Sequence, residues 1–359
     1  MRRRDYSLLG EDAKRAVQTG LASAEWYHSD ILRKEMKALM QRSDAPAIRD
    51  TIILYGCMIL FAGIGIAFWP SWSCAPFWLG YSVLYASASD SRWHECGHGT
   101  AFKTPWMNDL VYNIASFMII RNPVTWRWSH ARHHTDTVIV GRDPEIAAMR
   151  PPAALMMALN IFGLPDMYYG FARMFLNASG KLSPQEATFV PASEAPKIVR
   201  TARIWVLIYA ATVTLALATT SILPLMVIGL PRILGSWHFI MTGYLQHAGL
   251  AEDVLDHRLN SRSVLMNPIS RFIYWNMNYH VEHHMFPMVP YHRLPELHAR
   301  IKDDLPAPNR SVAQAYRELL PILKRQFFGE DIYLRRALPQ GAKPYREDLH
   351  AAALGQAAE

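Results

Sequence analysis

The sequence predicts an all-α integral membrane protein with about four transmembrane helices in two hairpins and a helical cytoplasmic cap. Three observations predict it. Apolar residues, 51% of the 359, gather in long runs; those runs are almost free of charge; and Lys and Arg collect in one connecting segment rather than at the hairpin tips.

The chain begins with a charged stretch, Met1 to Gly10, that has no apolar h-region, so no cleavable signal peptide is expected. Residues 1–50 are assigned to a cytoplasmic N-terminal segment. Thr51 to Phe68, TIILYGCMILFAGIGIAF, holds no charge, and about 18 to 20 such residues at 1.5 Å rise cross a hydrocarbon core. After Pro70, Ser71, Trp72 and Ser73 a second apolar run extends from Cys74 to about Ser89, with Trp78, Tyr81 and Tyr85 along it. So short a connection requires antiparallel spans. Ile204 to Ile222 is the third span, and Leu223 to Leu245 is the fourth, interrupted by Pro231 and Arg232. A mid-membrane Arg costs roughly 2.5 to 3.5 kcal/mol on insertion scales, so Arg232 is expected to snorkel, to pair internally or to line a cavity. The membrane domain is bounded at 51–300. Residues 301–359 form a cytoplasmic helical tail, frayed from Tyr345 to Glu359 where Ala and charge dominate.

Between the second and third spans lie Arg92, Lys103, Arg121, Arg127, Arg132 and Arg142, whereas neither hairpin tip carries Lys or Arg. The positive-inside rule therefore places the termini and this long loop in the cytoplasm. Leu110–Ile120 and Ala153–Leu176 within the loop are apolar, but Pro165, Asp166 and Arg173 suit them to lying on the membrane rather than crossing it. The net charge of +7 is accounted for by such loops, and no nucleic-acid partner is expected. Cys57, Cys74 and Cys96 form no C-x-x-C pair, which excludes a disulfide scaffold, a zinc ribbon and a resident iron–sulfur cluster.

Eight of the fifteen histidines fall in three tight groups: His94 and His98 in HECGH, His130, His133 and His134 in HARHH, and His280, His283 and His284 in HVEHH. Residues three and four apart share a helix face, so each group can aim two or three imidazoles at one point. Neutral imidazole ligates Zn, Cu, Fe and Ni, and eight or nine imidazoles exceed the needs of one ion. Two metals are implied. Counted from Cys74, His94 lies about 30 Å along a helix, at the cytoplasmic boundary, with His98 just beyond; counted from Leu223, His247 lies about 36 Å along, at the same boundary. That depth makes His247 a ninth candidate ligand. His238, His257, His292 and His298 are expected to be non-ligands. The cap is therefore the expected seat of the metal site.

A competing reading takes His94, Glu95 and His98 as H-E-x-x-H, with Glu95 the general base of a zinc membrane protease. It leaves the two HxxHH groups without a task, and no Asp-Gly pair is present to supply a third zinc ligand. A non-catalytic membrane metal-binding protein is the remaining alternative; it would need no electron donor.

From these residues a resemblance emerges. The order HxxxH, HxxHH, HxxHH around two membrane hairpins resembles the integral-membrane fatty acid desaturase and hydroxylase family, over roughly Thr51 to Pro295. The strings HECGHGTAF, GRDPE and NYHVEHHMFPMVPYHRLP are similar too. Among subgroups the sequence most resembles bacterial oxygenases of the rhizopine-catabolism type, which implies hydroxylation and loss of an O-methyl group as an alternative to acyl-chain desaturation. The resemblance implies a non-haem di-iron site, O2 as co-substrate, and two electrons from a separate ferredoxin, or cytochrome b5, with its reductase. It implies His94, His98, His130, His133, His134, His280, His283 and His284 as catalytic iron ligands, His247 as a further one, and membrane lipid as the substrate source. A multi-pass protein of the bacterial inner membrane, its site facing the cytoplasm, follows. Glu282, Asp90, Asp136, Asp143 and Asn278 are candidates to orient the ligand imidazoles from behind.

Overall fold

In the computed structural model, residues 4–346, Leu349 and Ala357–Ala358 are described, and the chain among them is mostly helical. The end of the tail expected to fray lies largely outside the described residues. Three helical stretches are long and apolar enough to cross a membrane: Arg33–Ala67, Ala192–Ala218 and Leu223–His247. Their apolar portions turn aliphatic side chains outward, with Ile59 74% and Leu217 73% exposed, as a lipid-facing surface requires.

Within the first stretch the continuous helix is Asp44–Ala67. A tight turn leads to Ala75–Val83, which runs back along it: Phe61 and Phe68 both meet Phe77, and a Cβ on Gly65 would strike the Trp78 indole at 2.8 Å. The return path continues through a π-turn, Leu84–Ala88, into Ser89–Gly97. This path carries Asp90, Arg92 and Glu95 in its last turns, which sets its composition apart from the other three. The Leu223–His247 stretch is broken, as Pro231 and Gly229 dictate, into Leu223–Val227, Pro231–Gly235 and Trp237–His247. Freed backbone groups find side-chain partners: Tyr81 donates to the Val227 carbonyl at 2.9 Å and Ser87 to that of Gly235 at 2.5 Å. Gly235 lies directly on the backbone of Ser82, so close that any Cβ would fall 1.8 Å from the Ser82 carbonyl oxygen. Small residues at such crossings let helices approach to backbone contact.

Arg232 is fully buried and pairs internally, with Asp166; its guanidinium also lies 5.0 Å from the centre of the Phe239 ring. Of the three expected fates, pairing is the one realised. Asp166 also accepts from Arg121 at 3.2 Å, and Arg121 reaches Asp90 at 3.3 Å. The two guanidiniums hold the Asp166 carboxyl below its ordinary range although burial opposes this.

Helices Pro105–Met118, Pro123–Thr135, Ala154–Asn160 and Leu164–Ala178 fill the long loop. Their exposed faces include Leu110, Leu155, Tyr168 and Phe175. Short helices His257–Asn260, Pro268–Ile273 and His280–Met285 follow the last stretch. Buried Arg92 ties Pro268–Ile273 to Ser89–Gly97 by donating to the carbonyls of Phe272 and Ile273, both at 2.8 Å. Asp50, near the start of the first stretch, accepts from Trp275 and Tyr291 at 3.1 and 2.8 Å. The N-terminal segment lies over the same end of the molecule, where Trp26 donates to the Thr135 carbonyl and Tyr6 to Glu252.

Candidate metal centre

The three histidine groups and His247 arrive from four helices. His94 lies near the end of Ser89–Gly97, with His98 as its C-cap; His130, His133 and His134 occupy the last turns of Pro123–Thr135; His280, His283 and His284 lie on His280–Met285; and His247 ends Trp237–His247. In each group the rings four residues apart meet, His94 with His98, His130 with His134 and His280 with His284, at 5.1, 4.6 and 4.5 Å between centres, whereas His133 and His283, three residues beyond His130 and His280, turn elsewhere.

All nine converge, and they sort into two sets. Ring nitrogens of His94, His98, His130, His134 and His283 lie within 4.8 Å of one another, as do those of His133, His247 and His284. His280 joins the second set, its Nε2 lying 2.9 Å from that of His247 and 3.0 Å from that of His284. The sets abut through His134 and His284, whose rings stack at 4.5 Å. The HxxHH groups are thus divided between the sets rather than each forming its own.

The contacts inside the sets test whether a metal fits. His130 Nε2 lies 3.0 Å from His98 Nε2 and 3.1 Å from His134 Nε2, and His134 Nε2 lies 3.2 Å from His283 Nε2. One proton on His130 Nε2 cannot serve two neighbours. It is not there in any case, because His130 Nδ1 is 2.9 Å from Glu145 Oε2, an acceptor that requires the proton on Nδ1. Likewise His133 Nδ1–H donates to Asp143 Oδ2 at 2.8 Å and His247 Nδ1–H to the Asn260 carbonyl at 2.8 Å. Lone pairs on Nε2 therefore face one another across about 3 Å, the spacing of adjacent ligands around an ion with metal–nitrogen distances of about 2.1 Å. His94 Nε2 is buried without a hydrogen-bond partner, as expected of a nitrogen awaiting a metal. Burial also pushes His130, His134, His280, His283 and His284 well below the ordinary imidazole range, with neighbouring rings adding to the effect. Neutral imidazole is the ligating form. The residues present fit two metal ions.

Behind the rings the expected orienting groups are only partly those found. Asp143 is one: it also accepts the Val138 N–H at 2.7 Å, and its pairing with His133 overcomes burial to hold its carboxyl low. Glu145, which the sequence reading did not single out, does the same for His130 and is itself held by Ser129 at 2.7 Å. Its position two residues after Asp143 in GRDPE was the available signal. Asp136, by contrast, binds Arg142 and the Ser23 N–H; Asn278 binds the Val264 carbonyl; and Glu282 binds His298 and Ser263. Asp90 contacts Arg121. These four stabilise the surrounding chain and touch none of the nine rings through a hydrogen bond. His238, His257, His292 and His298 belong to neither set. His257 comes nearest, 5.0 Å from the His284 ring and stacked on Trp26 at 4.3 Å.

Glu95 bears on the H-E-x-x-H reading. A general base must face the bound water on the metal side of the rings. Glu95 is buried on the opposite side, its Oε1 3.4 Å from His94 Nδ1 and 3.7 Å from His283 Nδ1.

A cavity of about 730 Å3 reaches both sets, touching His94 and His130 of the first and His133, His247 and His280 of the second. Phe239, Ile240, Gly243 and Tyr244 form one wall, and Met149, Met156 and Met157 another. Asp90, Arg121 and Asp166 form a charged patch on it. Much of the wall comes from residues 144–166.

Residues 67–316 match the family model described as fatty acid desaturase. The chain is 25% identical over 272 residues to the acyl-lipid omega-3 desaturase (cytochrome b5) of the endoplasmic reticulum of Arabidopsis thaliana, covering 70% of this chain and 69% of that one. It is 24% identical over 268 residues to the sn-2 acyl-lipid omega-3 desaturase (ferredoxin) of Arabidopsis chloroplasts, and 23% identical over 278 residues to an omega-3 fatty acid desaturase of Ricinus communis chloroplasts. Against those two it spans 58% of the relative's length. Because the family match covers well over half of the chain and takes in every one of the nine converging histidines, this chain belongs to the fatty acid desaturase family.

Proposed function

We propose that the protein is an O2-dependent oxidoreductase of the membrane that oxidises a C–H bond of a lipid or acyl substrate at two iron ions. The observation that carries this reading is the single cavity onto which both sets of imidazoles open. His94, His98, His130, His134 and His283 would hold one ion, and His133, His247, His280 and His284 the other. Bound iron would supply the reduction of O2 and the removal of hydrogen from the substrate. The chain supplies the rest: Asp143, Glu145 and the Asn260 carbonyl fix ring orientation and keep the ring protons on Nδ1, and the Phe239 to Tyr244 wall excludes water and positions an apolar chain.

The two electrons that this reaction needs would come from a partner. Relatives named for cytochrome b5 and for ferredoxin support either donor, each with its reductase. The Ala75–Gly97 path, with its turn back along the first stretch, serves as a fourth membrane crossing in this reading. The histidine-bearing segments then form a cap on the cytoplasmic face, residues 51–300 make up the membrane domain, and the 1–50 and 301–359 segments flank it. A bacterial inner membrane is the expected setting.

Desaturation is favoured by the relatives' names; loss of a second hydrogen gives an alkene, and insertion of oxygen gives an alcohol or, at an O-methyl group, demethylation. The test is metal analysis of detergent-purified protein, with NADH-driven oxygen uptake through ferredoxin and its reductase and mass analysis of the products. Two iron ions per chain and lipid-dependent uptake are expected. One tightly held zinc without uptake would replace this reading with the protease.

A further inference from the structure

We infer that Glu95 is a positioning residue that makes the two metal sets unequal, so that the set containing His94 and His283 takes up a divalent ion before the set containing His133 and His247. The inference rests on the two-metal reading above and concerns what lies behind the rings. Nine neutral imidazoles bring no negative charge to two divalent ions, so compensation must come from buried carboxylates around them.

Those carboxylates are unevenly distributed. Behind the first set stand two: Glu145, bound to His130 Nδ1, and Glu95. Behind the second stands one, Asp143 on His133; the Asn260 carbonyl serves His247 and the Thr137 hydroxyl lies 3.3 Å from His284 Nδ1. The first set also has five rings to the second's four. A carboxylate behind a ligand imidazole raises the basicity of the coordinating nitrogen, whereas a neutral acceptor does so less.

Glu95 carries the difference because of where it sits. It is wholly buried, and neither of its oxygens, like Nδ1 of His94 and of His283, has a well-aligned hydrogen-bond partner, the Tyr291 N–H and the Thr100 hydroxyl giving only weak contacts. The poorly satisfied acceptor faces the two unsatisfied ring nitrogens at 3.4 and 3.7 Å. Buried polar atoms are rarely left so, and a small rotation of the two rings and of the Glu95 side chain, with Nε2 of each ring kept on a shared ion, would align their N–H groups on one carboxylate. Glu95 would thereby link a ligand of its own helix to one from His280–Met285, which no other side chain behind the rings does for that set.

The experiment titrates metal-free, detergent-solubilised full-length protein with cobalt(II), following visible absorption and free metal. Wild type should bind two ions in two separate steps. Glu95→Gln should weaken the tighter step by about 10- to 100-fold and leave the weaker step in place, and Glu95→Asp should recover most of the loss. His98→Ala, which removes a ring of the first set alone, should abolish the tighter step. A Glu95→Gln titration that superimposes on wild type, or a His98→Ala protein that loses only the weaker step, overturns the inference. Fewer than two ions bound by wild type would instead overturn the two-metal reading itself.

Discussion

Asp143 places one carboxylate oxygen between the Nδ1–H of His133, at 2.8 Å, and the backbone N–H of Val138, at 2.7 Å. The residue therefore locks a ring to the loop that follows its own helix. Asp143→Asn keeps the shape but offers an uncharged acceptor. Its metal affinity should fall about 10- to 100-fold, measured as iron retained after dialysis against a graded chelator series. Asp136→Asn, whose carboxylate binds Arg142 and Ser23, should retain iron as wild type does.

The burial of Arg232 makes Asp166 indispensable to the membrane domain. Removing one member of a buried pair leaves an uncompensated charge and costs about 3 to 5 kcal/mol, whereas replacing both with apolar residues is close to neutral. Asp166→Asn should lower thermal stability markedly, and adding Arg232→Met should restore most of it. A double variant no more stable than the single one would mean that Asp166 acts through Arg121 instead.

At Gly235 the helices touch backbone to backbone. Alanine there puts a carbon into the Ser82 carbonyl, and overpacking of this kind costs about 1 to 3 kcal/mol or more. Gly235→Ala should reduce the yield of folded, monodisperse protein, read by size-exclusion chromatography with fluorescence detection.

Gly243 is the opposite case. It lines the cavity and a Cβ there would meet nothing within 4 Å. Gly243→Leu should fold and hold iron normally while losing turnover of long-chain substrates, because the new side chain occupies substrate space. Product yield by gas chromatography, set against iron content, separates the two effects.

Asp253 gives a pH signature away from the metals. Burial, with help from Glu252, pushes its carboxyl up to about 7, although it accepts the Val140 N–H. A carboxyl whose folded-state value is raised favours folding most below its unfolded value near 3.8, and that contribution is lost as pH rises toward 7. Thermal stability measured from pH 5 to 8 should decline less steeply in Asp253→Asn than in wild type.

Much of this was legible from spacing alone. The three histidine groups and His247 were found because helical periodicity and depth along a span are one-dimensional quantities, and the same reasoning located the break at Pro231. What sequence distance could not reveal was the sorting of the rings. His133 and His134 are adjacent, yet they face different sets, because neighbouring helical positions point about 100° apart. The supporting carboxylates were hard for a similar reason. Glu282 sits inside a histidine group but turns to His298, whereas Glu145, eleven residues beyond His134, folds back onto His130. The Asp166–Arg232 pair joins residues far apart in the chain and carries no local pattern.

Residues 146–160, which wall the cavity and contain none of the nine histidines and none of the carboxylates behind them, separate two kinds of heritable change. Replacements there remodel what enters the chamber while leaving the rings and their carboxylates untouched, so new substrates can be explored without passing through inactive intermediates. A catalytic apparatus spread over four helices is difficult to reinvent, but its doorway is one short, replaceable piece of chain.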